Sequence, residues 1–221
     1  IEGLRSVAHE TIYRHIYQNK QAGGDLYIYL RRRHKYRKRI NKYCSRKGWN
    51  TRRPISERAS IVETRERLGD WEADTIIGRE RKGGILSLVE RRSRYCVLHK
   101  VATKSAPTVA DAVCSSLLPV KEKVLTITSD NGIEFMRHET IATTLEADFF
   151  FADPYSSWQR GTNENTNGLV RQYFPKRTDF AAVPDEAIRD VADRLNNRPR
   201  KVLDFRTPDE VFNNRFVALI T

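Results

Sequence analysis

The sequence contains few cysteines and no long apolar stretch. Its 221 residues include three cysteines, odd in number, far apart and without a C-x-x-C spacing: Cys44, Cys96 and Cys114. This pattern excludes a disulfide framework and a cysteine-held structural zinc, and it predicts reduced, buried thiols. No run approaches the roughly 18 consecutive apolar residues of a membrane-spanning helix, so we expect no membrane partner.

The start of the chain lacks a secretory signal. Ile1, Glu2 and Gly3 form no cationic stretch that leads into an apolar one. We therefore expect an intracellular chain, and because it begins with isoleucine instead of methionine we expect it to be part of a longer protein. A hydrophobic content of 39% over 221 residues is sufficient for a packed core.

Acidic residues are missing from one segment, and this locates the positive charge. The chain has 40 Lys and Arg against 28 Asp and Glu, a formal net charge of +12. From residue 31 to residue 53, twelve residues are basic and none is acidic: Arg31, Arg32, Arg33, Lys35, Arg37, Lys38, Arg39, Lys42, Arg46, Lys47, Arg52 and Arg53. Such a block repels itself unless it meets a polyanion, so the segment predicts a salt-sensitive contact with nucleic acid. A solvated tail or a localisation signal is the alternative.

The order of patterns along the chain predicts a basic appendage over residues 1–60 and a core domain over 61–221. Residues 9–18 have apolar side chains at helical spacing. From Gly69 three short β-rich segments follow, with turns between them. We then expect alternating elements, with strands within 123–132 and 148–152 and helices over about 105–119, 138–146, 157–174, 184–196 and 207–214. Three antiparallel strands followed by alternating helices and strands indicate an α/β sheet covered by helices.

Acidic residues occur in three places that a folded sheet could bring together. On the first strand, period-two alternation puts three carboxylates on one face: Asp70, Glu72 and Asp74. Asp130 directly follows the apolar run VLTIT, where α/β sheets commonly carry functional groups. Glu164 lies on the helix predicted over 157–174.

That helix has a polar and an apolar face. Steps of about 100° per residue group one set of side chains on a narrow polar face: Glu164, Asn167, Gly168 and Arg171. They place an apolar set opposite: Leu169, Val170, Tyr173 and Phe174. Glu164 is therefore expected to point away from the apolar seam.

Carboxylates from separate elements suit a hard cation such as Mg²⁺ or Mn²⁺. Two such ions, about 3.5 to 4 Å apart, can activate an attacking oxygen and stabilise a leaving one in phosphoryl transfer. Taken singly, Asp130 fits an Asx turn with Gly132, and Glu164 fits a solvated helix residue. Together with the basic segment, the three positions favour an enzyme that acts on nucleic acid.

Five stretches carry a resemblance to a known family: GDWEADTIIG, SLVERRSRY, TSDNGIEF, YSSWQRGTNENTNGLVRQYFPKRTDF and LNNRPRKVLDFRTPDEVF. They resemble the catalytic domain of bacterial insertion-sequence transposases of the insertion sequence thirty type. These are DDE transposases of the integrase-core, ribonuclease H-like superfamily. The resemblance covers nearly all of residues 65–214 in order. Upstream, HETIYRHIY is similar to the end of a helix-turn-helix, and LYIYLRRRHKYRKR to the basic linker that follows it.

The resemblance implies a fold, a reaction and a catalytic triad. The motifs W-x-x-D-T, S-D-N-G and G-x-x-E-x-x-N match Asp74, Asp130 and Glu164, with 33 residues between the last two. The implied fold is a mixed five-stranded sheet, its first three strands antiparallel, flanked by helices. The implied reaction uses two Mg²⁺ or Mn²⁺ ions held by the triad. Water cleaves one strand at each transposon end, and the freed 3′-hydroxyl attacks another strand.

The resemblance also implies partners and further site residues. The partners are double-stranded DNA, both transposon ends and target, and other copies of the chain on that DNA, in the bacterial cytoplasm at the nucleoid. The predicted DNA contacts are Arg31, Arg32, Arg33, Lys35, Arg37, Lys38, Arg39, Arg171 and Lys176. Arg177 is a further phosphate contact, while Asn131 and Asn167 would support the site or the DNA.

Some alternatives stay open on the residues alone. Asp70 and Glu72 share a strand face with Asp74, so the choice of Asp74 depends on the motif and not on spacing. A catalytically idle, transposase-derived DNA-binding regulator is the strongest alternative function, although the complete triad argues against it. An RNA-directed nuclease on the same scaffold would use the same metals but would not need the basic segment.

Overall fold

The computed structural model describes residues 7–30, 51–81, 83–154 and 156–215, which fall into two compact units, Ile1–Arg46 and Lys47–Thr221. In the first unit, helix α1 (His9–Gln21) is followed by a 3-10 helix over Leu26–Tyr29. The helix predicted around residues 9–18 is therefore present. Lys20 packs its ammonium group 3.7 Å from the centre of the Tyr27 ring, which ties the end of α1 to the 3-10 helix.

The second unit is a mixed sheet with helices on both faces. Its strands are β1 (Arg53–Pro54), β2 (Asp70–Ile77), β3 (Gly84–Glu90), β4 (Cys96–Val101), β5 (Thr126–Ser129) and β6 (Asp148–Phe151). Its helices are α2 (Ile61–Thr64), α3 (Ala106–Leu117), α4 (His138–Leu145), α5 (Gly161–Tyr173), α6 (Asp185–Asn196) and α7 (Pro208–Phe212). Every helix and strand predicted after Gly69 has a counterpart here.

The strand order is β1-β6-β5-β2-β3-β4. β2, β3 and β4 pair antiparallel, whereas β2 pairs parallel with β5, and β6 pairs parallel with both β5 and β1. The α/β class and the three antiparallel strands are thus confirmed. Among the described helices, none combines the length and apolar character needed to cross a membrane.

The predicted number of five strands is wrong, because a sixth strand forms at the edge of the sheet. β1 has only two residues, Arg53 and Pro54, which pair with Phe150 and Phe151. The Arg53 side chain lies 2.5 Å from an oxygen of Asp148 and stacks over the Phe150 ring. A proline suits an edge strand because one side needs no ladder donor. Residues 53–54 thus belong to the sheet, although the sequence pattern assigned them to the appendage.

Strand β3 is buried along its whole length and divides the core into two layers. On one face, Leu86 and Leu88 pack in a cluster that includes Val113 of α3. On the other face, Ile85 and Val89 pack in a cluster with side chains of α5 and α6. Because both faces are buried, the strand is apolar along most of its length, with Ser87 and Glu90 as the exceptions.

Helix α5 differs from its predicted form in two respects. Residues 157–160 form a 3-10 helix, so the α-helix begins at Gly161. Tyr173, predicted in the apolar seam, is 40% exposed. Polar side chains are buried instead, namely Thr162, Asn163 and Thr166. Apolar spacing did not predict this buried polar face, because these side chains can be buried only through hydrogen bonds that the fold supplies.

Candidate active site

The two aspartates of the predicted triad lie on neighbouring parallel strands, Asp74 within β2 and Asp130 directly after β5. β2 and β5 pair in the register Asp70 with Thr126 and Glu72 with Thr128. Carried two residues further, this register places Asp74 beside Asp130. β5 ends at Ser129, so Asp130 stands at the carboxyl end of a buried strand. The strand pairing itself therefore brings the two carboxylates together.

One guanidinium group lies between these carboxylates. Nη1 of Arg160 is 3.5 Å from Oδ2 of Asp74, and its Nη2 is 3.7 Å from Oδ2 of Asp130. Nη1 also donates to the carbonyl oxygen of Ala73 at 3.3 Å. The Arg160 side chain is 12% exposed. Asp74 and Asp130 thus share an internal cation, which belongs to the 3-10 helix that leads into α5.

Glu164 reaches the same place from the first turn of α5. It lines an open cavity of about 220 Å³ together with Asp74, Arg160 and Asn167. A second cavity of about 610 Å³ is lined by Asp130, among others, and Arg160 lines both. Glu164 itself is exposed. The structure therefore groups Glu164 with Asp74 directly, and with Asp130 through Arg160.

Asp74 is held in one orientation by donors on both carboxylate oxygens. The Thr75 backbone N–H donates to Oδ1 at 2.8 Å, and Nδ2 of Asn167 donates to Oδ2 at 3.0 Å. Burial raises the pKa of the Asp74 carboxyl, Arg160 opposes this, and the negative charge of Asp130 adds to it. A second positive charge beside Asp74 would favour its ionised form.

Asp130 forms the Asx turn that was the alternative prediction for it, and it also faces the site. Its Oδ1 accepts the Gly132 backbone N–H at 2.9 Å, while its Oδ2 is directed to Arg160. A Cβ at position 132 would lie 2.8 Å from Oδ1 of Asp130 and closer still to the Glu134 carboxylate, so a larger residue there would displace both side chains. One oxygen thus fixes the loop and the other is available for chemistry. Asn131 supports the same loop by donating to the Ala152 carbonyl at 2.6 Å.

Asp70 and Glu72, the competing carboxylates on β2, form hydrogen bonds and ion pairs with other parts of the fold. Arg67 donates twice to Asp70, at 2.9 and 3.0 Å. Glu72 accepts from Arg91 at 2.7 Å and from the Asn163 backbone N–H at 2.8 Å. Both carboxylates are buried, with 1% and 0% exposure. Of the three on this strand face, Asp74 is the one that lines the cavity with Glu164.

The sequence patterns did not single out Arg160, nor a fourth carboxylate, Glu134. Glu134 is 1% exposed, lies 2.5 Å from Nζ of Lys104 and accepts the Thr75 hydroxyl at 3.0 Å. It therefore lies beside Thr75, the residue that follows Asp74. The stretches TSDNGIEF and YSSWQRG contain Glu134 and Arg160, so the motifs held the only available signal.

The predicted DNA contacts are distributed over several places. Arg171 donates to the backbone carbonyls of Ile77 at 2.9 Å and Pro175 at 3.3 Å, so its guanidinium helps to fix the end of α5. Lys176 and Arg177 are exposed in the turn after that helix. Seven predicted contacts lie outside the described residues: Arg31, Arg32, Arg33, Lys35, Arg37, Lys38 and Arg39.

The donor set fits a hard divalent cation. In the part of the chain that the structure describes, no three Asp, Glu, His or Cys side chains are grouped closely enough to hold a metal as they stand. However, Asp74 and Asp130 already share one cation, the Arg160 guanidinium. Oδ1 of Asn167, next to Asp74, is buried without a hydrogen-bond partner. Carboxylates around an unused carbonyl oxygen are the ligands that Mg²⁺ and Mn²⁺ prefer.

Comparison with solved structures places the fold among integrase catalytic cores. The catalytic core domain of BIV integrase matches 67% of this chain and 95% of its own, with a TM-score of 0.50 and 20% identity. The HTLV-2 integrase catalytic core domain in complex with magnesium matches 66% and 96%, with a TM-score of 0.51 and 18% identity. The simian T-cell lymphotropic virus intasome structure, in complex with PP2A regulatory subunit B56 gamma, matches 70% and 56%, with a TM-score of 0.55 and 17% identity. At these identities the likeness shows the fold, which is ribonuclease H-like.

Sequence relatives are more specific. Over 96% of its length, the chain is 48% identical to the transposase for insertion sequence element IS4351 of Bacteroides fragilis and 39% identical to transposase InsI for IS30A of Escherichia coli strain K12. It spans 65% and 57% of the lengths of those two proteins. No protein-family model matches the chain. The predicted resemblance to insertion-sequence transposases of this type is confirmed.

Proposed function

We propose that the chain is the catalytic part of a DDE transposase that cleaves DNA at transposon ends and transfers the freed strand into DNA. The observation that carries this proposal is the approach of Asp74, within β2, to Asp130, which directly follows the parallel strand β5; Arg160 lies between them and Glu164 lines the adjoining cavity. The names of the sequence relatives support the same reaction.

Asp74, Asp130 and Glu164 would hold two Mg²⁺ or Mn²⁺ ions. When bound, such ions supply activation of the attacking oxygen and stabilisation of the leaving oxygen. The chain's own residues prepare the ligands. Asn167 and the Thr75 N–H fix the Asp74 carboxylate, and the Gly132 N–H fixes Asp130. Because Glu164 is exposed at the start of α5, it can face a DNA strand that enters the cavity.

The proposed reaction has two steps, hydrolysis and strand transfer. Water adds to the phosphorus of a phosphodiester, the bond from phosphorus to the 3′ oxygen breaks, and that oxygen takes a proton. The products are a 3′-hydroxyl and a 5′-phosphate. In the second step the 3′-hydroxyl loses its proton and its oxygen attacks a phosphodiester of another strand. A new phosphorus–oxygen bond forms, the bond from that phosphorus to its own 3′ oxygen breaks, and the departing 3′ oxygen takes a proton. No covalent intermediate with the protein is needed.

The proposed partner is double-stranded DNA, bound by several copies of the chain in the bacterial cytoplasm at the nucleoid. The basic segment and Lys176 would contact phosphates, which sets affinity without reading the base sequence. Arg171 has a positioning role in this proposal, since its described contacts are to backbone carbonyls.

The test is nicking and joining of DNA by the purified chain in Mg²⁺ or Mn²⁺, with a chelator as the blank. We expect Asp74→Asn, Asp130→Asn and Glu164→Gln to abolish nicking while melting temperature and DNA affinity stay close to wild type, because each amide keeps the shape but removes the charge that holds a cation. Matched controls are Asp111→Asn and Glu139→Gln, which neutralise exposed carboxylates on α3 and α4.

Three outcomes contradict the proposal. Nicking that persists in chelator argues against a metal site. Loss of nicking in Asp70→Asn but not in Asp74→Asn would move the site along β2. DNA binding without any metal-dependent nicking by wild type would favour the idle DNA-binding regulator instead.

A further inference from the structure

A third cavity lies on the opposite side of helix α5 from Glu164. It has a volume of about 380 Å³ and is lined by Arg65, Arg94, Gly161, Thr162, Asn165, Thr166, Arg200 and Val202. The α5 residues among these cover one arc of the helix. At 100° per residue, Glu164 and Asn167 point roughly the other way. The cavity is therefore separate from the carboxylate site but shares its supporting helix.

Three arginines converge on this cavity without acidic partners. Among the described residues, no carboxylate lies within 4.0 Å of the guanidinium of Arg65, Arg94 or Arg200. Arg91 provides a contrast, because it pairs with Glu72 at 2.7 Å and with Glu63 at 3.0 Å. The cavity thus concentrates positive charge that the protein does not neutralise itself.

Each of the three guanidinium groups retains donors for a ligand. The one described side-chain hydrogen bond of Arg94 is to the Thr162 hydroxyl, at 2.6 Å. Nη2 of Arg200 donates to the Leu195 carbonyl, whereas its Nε is buried and has no hydrogen-bond partner in the described structure. An arginine carries five N–H donors, so most of these donors remain unused.

Burial and neighbouring positive charges outweigh the acidic groups near Arg94. Burial and then the charge of Arg65 lower the pKa of Arg94 to about 10, so it remains charged at neutral pH but at a cost in stability. Glu72 and Glu90 face it from further away. Both already have partners, since Glu90 accepts the Ser93 hydroxyl and backbone N–H, each at 2.6 Å.

The first turn of α5 adds to the positive character of the cavity. Gly161 and Thr162 open this helix of 13 residues; the side chain of the N-cap residue Arg160 makes no capping hydrogen bond, and Glu72 accepts the Asn163 N–H on the other side of the turn. Gly161 and Thr162, at the positive end of the helix dipole, form part of the cavity wall. The space beside Gly161 is open, since a Cβ built there meets no atom within 4 Å. A ligand can reach the backbone of the first turn.

We propose that this cavity binds a phosphate group of the DNA backbone, apart from the strand that enters the carboxylate site. Planar guanidinium forks match phosphate oxygens, and three uncompensated charges suit a polyanion better than a neutral ligand. DNA as the source of the phosphate rests on the proposed function, whereas phosphate recognition itself does not. DNA held on both sides of the start of α5 would be fixed relative to Glu164.

The test measures binding of a labelled DNA duplex in chelator over a series of salt concentrations. We expect Arg65→Gln and Arg200→Gln each to weaken binding about five- to tenfold at 0.1 M salt and to lower the salt slope by about one, the effect of one lost phosphate contact. Arg65→Lys should retain most of the affinity. Arg189→Gln, which removes the same charge from an exposed position on α6, is the matched control and should behave like wild type.

Melting with inorganic phosphate forms the second arm. Phosphate should raise the melting temperature of wild type and of Arg189→Gln, but less in Arg65→Gln and Arg200→Gln. Salt slopes that are equal in all these variants would overturn the proposal. Phosphate-dependent stabilisation with unchanged DNA binding would assign the cavity to a free phosphate and overturn DNA as the ligand. Self-association that Arg65→Gln abolishes would assign it to a carboxylate of a second copy, which also overturns the proposal.

These measurements separate this inference from the proposed function. Binding is measured without metal. DNA binding through the cavity without nicking would therefore contradict only the transposase proposal. If the arginine variants nicked DNA with the same kinetics and bound it with the same affinity as wild type, only this inference would be contradicted.

Discussion

Replacing Arg160 by glutamine should make the metal-free, DNA-free protein bind divalent cations more tightly. The guanidinium lies 3.5 Å from Asp74 and 3.7 Å from Asp130, in the place that a cation shared by both carboxylates would take. A divalent cation must therefore displace it or bind beside a positive charge. Glutamine removes that charge and retains a polar side chain of similar length.

The magnitude follows from these separations. Two unit charges about 3.6 Å apart interact by about 4 to 5 kcal/mol at an effective dielectric constant near 20. Burial of Arg160 and exposure of Asp130, whose side chain is 41% exposed, offset much of this. Neither contact is short enough to be a hydrogen bond, so we count two ion pairs of about 0.7 kcal/mol each, within the range for partly exposed pairs. A net effect of about 1.4 kcal/mol corresponds to a tenfold lower Kd.

The assay is a titration with Mn²⁺ in which electron paramagnetic resonance measures the free ion. We expect a Kd about tenfold lower for Arg160→Gln than for wild type. Arg160→Lys, which keeps the charge, should stay near wild type, as should Arg189→Gln, which removes an exposed charge on α6. Equal or weaker Mn²⁺ binding by Arg160→Gln would refute the idea that this side chain occupies the place of a cation.

Three further predictions concern other parts of the chain. Lys104→Met should lower the free energy of unfolding by about 2 kcal/mol in urea, because it leaves the buried Glu134 carboxylate without its cation; if adding Glu134→Gln did not restore part of the loss, the pair would not be the cause. Burial raises the pKa of the Cys96 thiol from its ordinary 9.0 to about 12. The buried, protonated thiol therefore contributes fully to the free energy of unfolding below pH 9, and this contribution is lost as the pH rises towards 12. At pH 8, iodoacetamide should therefore modify half-buried Cys114 before Cys96 by mass spectrometry, and equal rates would contradict this. Replacing the seven basic residues within 31–39 by glutamine should weaken binding of any duplex and flatten its salt dependence, whereas an unchanged salt slope would exclude the segment as a DNA contact.

The sequence patterns predicted most helices and strands because each buries a regular face. In β2 acidic residues alternate with other side chains, and in α3 the apolar residues have helical spacing. The local sequence is therefore sufficient to predict these two elements. β1 could not be predicted in this way. Its two residues stand at the end of a basic run, and its pairing depends on Phe150 and Asp148, which lie far away in sequence.

The candidate site was predictable only in part for a similar reason. Alternation correctly put Asp70, Glu72 and Asp74 on one face of β2, but it treats the three as equal. They differ in what meets them from other elements: Arg67 for Asp70, Arg91 for Glu72, and the α5 side chains for Asp74. The motif W-x-x-D-T distinguishes Asp74 from the other two. Local periodicity alone does not.

The charges that the patterns missed explain how this centre can fold before a metal binds. The carboxylates of Asp74, Asp130, Glu134 and Glu164 lie in one region, where unpaired negative charges would repel one another. In the structure, Arg160 lies between Asp74 and Asp130, and Lys104 pairs with Glu134. Glu164 is exposed and needs no internal cation. Each buried negative charge is therefore balanced from a different element, so a divalent cation competes with side chains already in place, and its affinity for the free protein must be lower than the carboxylates alone would give.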